Sequence, residues 1–314
     1  MPDTFYEHLP GRRSAQGGIV TSGLSLSTAL RLGRISNLPT VWTNVAAGIV
    51  LSGAPVRAWP ALLLMLSLSF FYTAGMFLND AFDRDFDRRN RPQRPIPAGE
   101  VEAATVFAGG FALLAIGFII LVVVGYAVAD GGGWKGPVAG IVLAGAIILY
   151  DAWHKVNPVG PVLMGLCRLL VYLVAGLSVA GSLPLGLLVA AVVCLCYLVG
   201  LTYLAKQEGK RRITNLWPLL FLAVPFVYAF PFVVVQLGAA LVLFLLLLVA
   251  VAAALLLIFR PRGADIPHAI MLLIAGISLL DGLFLAGYGS PLLAAAAVGC
   301  FLLTLALQRF VPGT

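Results

Sequence analysis

The chain reads as an all-α polytopic membrane protein, a bundle of nine or ten transmembrane helices, on three observations. Its 314 residues are 61% hydrophobic, with a mean hydropathy of +1.02. Apolar runs of about 18 residues or more, the length a bilayer core demands, recur along most of it. The basic residues are sorted to one side of those runs, as a fixed membrane orientation requires. Together these exclude a soluble domain with a large core.

Residues 1–24 are polar and contain glycine, without the apolar stretch of a cleavable signal peptide. They read as a cytoplasmic tail, with a short amphipathic segment before Arg34, and residues 25–314 as a single transmembrane domain. Apolar runs then fall at 36–54, 59–78, 103–129, 137–152, 161–181, 184–204, 215–235, 237–259, 266–287 and 291–307. The stretch from Gly287 to Pro291 either separates two spans or bends one hairpin, hence nine or ten. Loops 55–58, 130–136, 181–184 and 236–238 are short and hold Gly and Pro. On the other side, loops 79–102 and 206–214 are long and charged, and loop 151–158 carries Asp151, His154, Lys155 and Asn157. Chemistry is therefore expected on that face.

With a cytoplasmic N-terminus, 17 of the 20 Lys and Arg residues fall on the cytoplasmic side. The opposite side holds Arg57 and Lys135, and Arg168 lies inside an apolar run. The expected setting is a bacterial inner membrane with the N-terminus inside. The net charge of +7 reflects this sorting and anionic headgroups, so nucleic acid is not an expected partner. Cys167, Cys194, Cys196 and Cys300 all lie in apolar runs and read as small buried residues, neither disulfides nor a metal pair.

The densest chemistry follows the second run. Asn79, Asp80, Asp83, Asp85 and Asp87 form N-D-x-x-D-x-x-x-D, and four of the chain's 13 acidic residues sit in eight positions. On a helix at about 100° per residue, Asp83 and Asp87 fall about 60° and 20° from Asp80, whereas Asp85 points away. Three carboxylates with Asn79 at their edge suit Mg²⁺, which takes oxygen ligands and bridges carboxylates to substrate phosphates. Arg84 and Arg91 fall beside the stripe, where the guanidinium fork suits phosphate. The alternative is a solvated helix end laced with i,i+4 ion pairs.

After the aspartates comes Arg94-Pro95-Ile96-Pro97-Ala98-Gly99. N-D-x-x-D-x-x-x-D followed by R-P-[IL]-x-x-G resembles the UbiA superfamily of intramembrane prenyltransferases, as does Arg34-Ile35-Ser36-Asn37-Leu38-Pro39-Thr40. The resemblance spans roughly residues 30 to 290 and is most specific at 79–99. It implies that Asn79, Asp80, Asp83 and Asp87 hold Mg²⁺ and a prenyl diphosphate, with the lipid tail between helices. It implies that Asn37 faces the cavity and that Lys155, in Tyr150-Asp151-Ala152-Trp153-His154-Lys155, sits near the diphosphate. His154 is expected at the membrane interface, and Asp151 as an exposed loop charge, the alternative being that it adds a carboxylate to the site.

One stretch departs from the family pattern. Where a second aspartate-rich motif is expected, the chain reads Tyr203-Leu204-Ala205-Lys206-Gln207-Glu208-Gly209-Lys210, with only Glu208 acidic. Tyr203 and Glu208 are candidates for the site, and Lys206 and Lys210 for replacing a metal's charge on the diphosphate. With the Ser36-to-Thr40 start, this resembles the UbiA-like group called EboC. Arg168 and Asp281 are intramembrane charges, each expected to face a cavity or a partner, and the two are candidates to pair with each other. Arg168 is also a candidate for the diphosphate. The function implied is Mg²⁺-dependent transfer of a prenyl group from an isoprenoid diphosphate to an acceptor the sequence does not identify. The alternatives are a non-catalytic isoprenoid-lipid carrier or transporter and a membrane terpene cyclase.

Overall fold

The structure, a computed structural model, describes residues 24–128, 131–155, 157–207, 216–235, 238–260, 265–311 and 313. Its helices are α1 (Leu26–Leu32), α2 (Leu38–Leu51), α3 (Ala58–Phe82), α4 (Arg84–Asn90), α5 (Ala103–Ala127) and α6 (Lys135–Trp153). They continue as α7 (Gly160–Val179), α8 (Leu185–Ala205), α9 (Val224–Val235), α10 (Ala239–Ile258), α11 (Ile266–Gly287) and α12 (Pro291–Leu307). A 3₁₀ turn at Ile35–Asn37 leads into α2, and another at Trp217–Ala223 leads into α9. Eight helical segments among the described residues are long and apolar enough to cross a membrane; the helices at Ile35–Leu51 and Pro291–Leu307 are shorter. Within the described residues each expected apolar run contains a helix, and a turn with Gly289 at φ 75° makes α12 a separate helix. The segment before Arg34 is the two-turn helix α1, capped by the Ser25 hydroxyl, which accepts from the Thr28 amide at 3.1 Å.

Burial separates inner from outer helices. The richest window of α11 is 83% buried, against 33% for α10 and 28% for α5. The outer helices are hydrophobic all round because their exposed faces, such as Ile119 and Val123 on α5 and Val249 and Leu256 on α10, meet lipid. One core cluster joins α8, α10 and α11, a second joins α2, α3, α5, α6 and α7, and a small third packs Leu32, Phe77, Ala81, Val101 and Val106. At the seam, α2 crosses α7 so closely that a Cβ on Gly48 would lie 2.8 Å from both the Ala175 Cβ and the Tyr172 carbonyl. Small residues allow such approach where lipid supplies no hydrophobic drive for helix association. The crossing brings α2, α7 and α11 together around a polar core, with the α3–α4 break and the ends of α6 and α8 around one cavity.

Candidate active site

The aspartate stripe is present, but on a broken helix. α3 ends at Phe82 and α4 restarts at Arg84, with Asp83 at the junction. Asn79, Asp80, Asp83 and Asp87 are 6%, 6%, 3% and 1% exposed, whereas Asp85 faces solvent. Buried carboxylates need counter-charge, and two arginines supply it. Arg34 Nη2 donates to Asp80 Oδ1 at 2.9 Å. Arg94 Nη1 bridges Asp80 Oδ1 at 3.1 Å and Asp87 Oδ2 at 2.9 Å. The turn of Arg94-Pro95-Ile96-Pro97-Ala98-Gly99 positions Arg94: the Ala98 amide donates to the Arg94 carbonyl, and Gly99 adopts φ 75°, which a side chain would strain. Arg34 sits at φ 42°, the one positive-φ non-glycine among the described residues, a strain of about 1–3 kcal/mol. Burial disfavours its charge, but Asp80 and the neighbouring acids outweigh burial and hold its pKa above the usual value.

Across the cavity stands the end of α6. Lys155 Nζ lies 2.9 Å and His154 Nε2 3.6 Å from Asp83 Oδ2. Asn79 Nδ2 donates to Asp151 Oδ1 at 3.2 Å. Two expectations are corrected here. Asp151 is no exposed loop charge, because α6 runs on to Trp153 and buries it in the last turn, 3% exposed. Nor is His154 interfacial: it is buried, stacked on Tyr150 at 4.6 Å, with Nδ1 3.1 Å from the Tyr150 carbonyl. Burial lowers its pKa, more than Asp83 raises it, so the neutral ring is favoured. Among the described residues, Asp87 Oδ1 and Asp151 Oδ2 are buried without a hydrogen-bond partner, and Asp83 Oδ2 has the Lys155 ion pair in place of one.

The cavity has a volume of about 480 Å³, within the range of roughly 300–1,000 Å³ for small-molecule sites. Its rim carries Arg34, Asp83, Arg91, Arg94, Lys155 and Lys206, with Asn37, Asn79, Asp151 and Arg168 inside it. Its lower walls are apolar, including Leu68, Phe71, Leu143, Ile147, Val171 and Ile277. The site is thus a charged mouth over a hydrophobic slot.

The other predicted residues divide. Asn37 lines the cavity, donating to Tyr72 Oη at 3.1 Å and to the Gly313 carbonyl at 3.0 Å. Lys206 lines it too, but its Nζ also donates to the carbonyls of His154 (3.1 Å) and Asn157 (2.7 Å), tying α8 to the end of α6. Burial lowers the Lys206 pKa, and Lys155 adds to the effect. Arg168 donates to Asn44 Oδ1 (2.6 Å) and Thr40 Oγ1 (3.0 Å), with Tyr72 5.5 Å beneath it. Asp281 accepts from Tyr172 Oη, from Thr43 Oγ1 at 2.5 Å and from Asn44 Nδ2 at 2.7 Å. The expected Arg168–Asp281 pairing is therefore indirect, relayed by Asn44.

Two assignments are corrected. Arg84 does not line the cavity: its side chain folds back onto the Ala81 carbonyl (3.1 Å) and the Phe107 ring (5.8 Å). Tyr203 faces Trp217, ring centroids 6.4 Å apart, because α8 turns it toward the 3₁₀ segment. Glu208 and Lys210 lie outside the described residues. Sequence reading missed Arg34 and Arg94 as counter-charges, although both stand in the segments that carry the family resemblance.

Among the described residues, no three His, Cys, Asp or Glu side chains gather closely enough to hold a metal ion. An all-protein cage is therefore not preformed. The partnerless Asp151 Oδ2 and the Asp83 carboxylate, which Lys155 meets from one side, lie beside the Asn79 side chain and fit a hard cation that takes one or two carboxylates and completes its shell with water and substrate phosphate.

The UbiA prenyltransferase family model matches residues 40–266, more than half of the chain. Digeranylgeranylglyceryl phosphate synthase of Methanoculleus marisnigri is 32% identical over 97 residues, covering 29% of this chain and 34% of that protein. The 4-hydroxybenzoate octaprenyltransferase of Idiomarina loihiensis is 40% identical over 83 residues, covering 26% and 28%. The chain thus matches about a third of the length of these curated relatives. Among solved structures, the apo UbiA homolog from Aeropyrum pernix K1 superposes with TM-score 0.60 at 16% identity, over 84% of this chain and 96% of that one. A UbiA homolog from Archaeoglobus fulgidus bound to DMAPP and Mg²⁺ gives 0.57 at 18% identity, over 87% and 99%. These likenesses establish a common fold.

Proposed function

The chain belongs to the UbiA prenyltransferase family, and we propose that it transfers a prenyl group from an isoprenoid diphosphate to an acceptor at the charged end of its cavity. One observation carries the reading: cationic side chains and the buried carboxylates of Asp83 and Asp151 ring the mouth of an apolar slot. Diphosphate suits Arg34, Arg91, Arg94, Lys155 and Lys206; the isoprenoid tail suits the slot. The residues for Mg²⁺ are Asp83 and Asn79, with Asp80 and Asp87 holding the arginines in place. Bound there, Mg²⁺ would neutralise charge on the diphosphate.

The reaction begins as the C1–O bond of the substrate breaks and its electron pair leaves with the diphosphate. The basic rim stabilises that charge where it develops. The apolar walls keep water from the allylic cation. The acceptor's nucleophile forms the new bond to C1 and loses its proton. Sorting of the basic residues supports a cytoplasmic mouth, with the N-terminus inside.

The test is to incubate the purified chain in nanodiscs with Mg²⁺ and farnesyl or geranylgeranyl diphosphate. Acceptors should include a glyceryl phosphate lipid and 4-hydroxybenzoate, the classes named by the relatives. Diphosphate release that requires an acceptor supports transfer, and acceptor-independent release supports cyclase or hydrolytic chemistry. A second reading, a non-catalytic isoprenoid-lipid carrier, is favoured by the ion pairs already holding Asp80, Asp83 and Asp87. Tight binding without release for any chain length would select it.

A further inference from the structure

We propose that Asp151 is a ligand of the same divalent cation as Asp83, so that α6 contributes a carboxylate to a site otherwise built on α3. The inference rests on the diphosphate reading of this cavity and deepens it.

Two helix ends meet in register. Asn79 and Asp83 are i and i+4 on α3 and its break, so their side chains are neighbours about 5–6 Å apart. Asp151 and His154 are i and i+3 at the end of α6, and likewise share a face. Asn79 reaches Asp151, and one turn further His154 reaches Asp83 Oδ2. The two carboxylates therefore stand one step apart on facing helices, and both line the cavity.

Satisfaction decides what Asp151 is for. Its Oδ1 accepts from Asn79, whereas Oδ2 has no hydrogen-bond partner among the described residues and the side chain is 3% exposed. The nearby cations are committed to other groups: Lys155 lies on Asp83, Arg34 on Asp80, and Lys206 on two carbonyls. A buried carboxylate oxygen without a partner is costly. An added cation between Asp151 Oδ2 and the Asp83 carboxylate gives Asp151 Oδ2 the partner it lacks and shares Asp83 Oδ2 with Lys155. Two carboxylates, the rest of the shell being water or diphosphate oxygen, is the ligand number Mg²⁺ and Mn²⁺ accept.

The test is Mn²⁺ titration followed by electron paramagnetic resonance on the full chain in nanodiscs, with Mn²⁺ alone and with inorganic diphosphate. Wild type should bind, and Asp151→Asn and Asp83→Asn should each weaken binding about 10-fold or more. The double variant should lose little beyond either single, as one shared ion requires. Asp85→Asn, exposed on the same segment, should change nothing. Should Asp151→Asn fail to fold, Asp151→Ser keeps a small acceptor for Asn79 and gives the same readout. Wild-type affinity in the Asp151 variants, with Asp83→Asn impaired, overturns this inference and leaves the proposed function standing. Additive losses also overturn it, since they mean separate ions. No Mn²⁺ binding by wild type, even with diphosphate, overturns both the inference and the metal part of that function.

Discussion

Two buried acidic regions lie in this bundle, and they are finished differently. In the core, Asp281 is completely buried and receives three donors, from Thr43, Asn44 and Tyr172, and neither of its oxygens is left unpaired. At the mouth, Asp87 and Asp151 are nearly as buried, yet each keeps an oxygen without a partner, and Asp83 Oδ2 is met only by the charge of Lys155 and the edge of His154. A carboxylate whose partners all come from the chain holds helices together. One left partly unsatisfied, beside cations and a cavity, is prepared for a ligand from outside. Charge is handled accordingly: Arg168 reaches Asp281 through neutral Asn44, whereas Arg34 and Arg94 contact Asp80 directly.

This contrast can be broken by substitution. The largest effect should be on activity at the mouth: Asp83→Asn should lower kcat/KM for prenyl transfer about 10³-fold, or ~4 kcal/mol, with melting nearly unchanged. A stability loss as large as the activity loss would erase the distinction. Next, Asp281→Ala should destabilise the bundle by about 2–4 kcal/mol, through three lost helix–helix hydrogen bonds and orphaned donors. Unfolding in mixed micelles checks this, and an unchanged midpoint would contradict the structural role.

Arg94→Ala should combine both behaviours more weakly. It uncouples Asp80 from Asp87 and removes a cation from the rim, so diphosphate affinity should fall about 10–100-fold in a calorimetric titration. The pH dependence should be smaller. Burial and then Lys155 disfavour the charged Lys206, so its proton leaves at lower pH than a free lysine's. Affinity for the diphosphate should therefore weaken as pH rises through the alkaline range below 10.5, and Lys206→Arg should flatten that slope; a slope kept in that variant would assign it elsewhere. Arg84→Ala, outside the cavity, should change kcat/KM less than about threefold. A loss like that of Arg94→Ala would restore the role first expected of it.

The sequence made the spans legible because bilayer thickness sets a length that apolar runs must meet. It made the stripe legible because 3.6-residue periodicity separates Asp85 from Asp80, Asp83 and Asp87. Periodicity also misled. Its angle beside the stripe puts Arg84 in the site, yet the side chain folds back onto the Ala81 carbonyl and the Phe107 ring. Asp151 and His154 were hidden for another reason. Polar residues after an apolar run look like a loop, and only the extra helical turn to Trp153 buries them against α3. The partners of Asp281 lie on α2 and α7, more than 100 residues away in the chain, beyond the reach of local pattern.

The most direct measurement is the Mg²⁺ dependence of affinity for an unreactive farnesyl thiodiphosphate in nanodiscs, for wild type, Asp83→Asn and Asp281→Asn. Mg²⁺ should tighten binding about 10-fold or more in wild type and Asp281→Asn, and leave Asp83→Asn unmoved. Equal affinity with and without Mg²⁺ in all three would contradict the claim that the buried carboxylates at the mouth form a cation–diphosphate site.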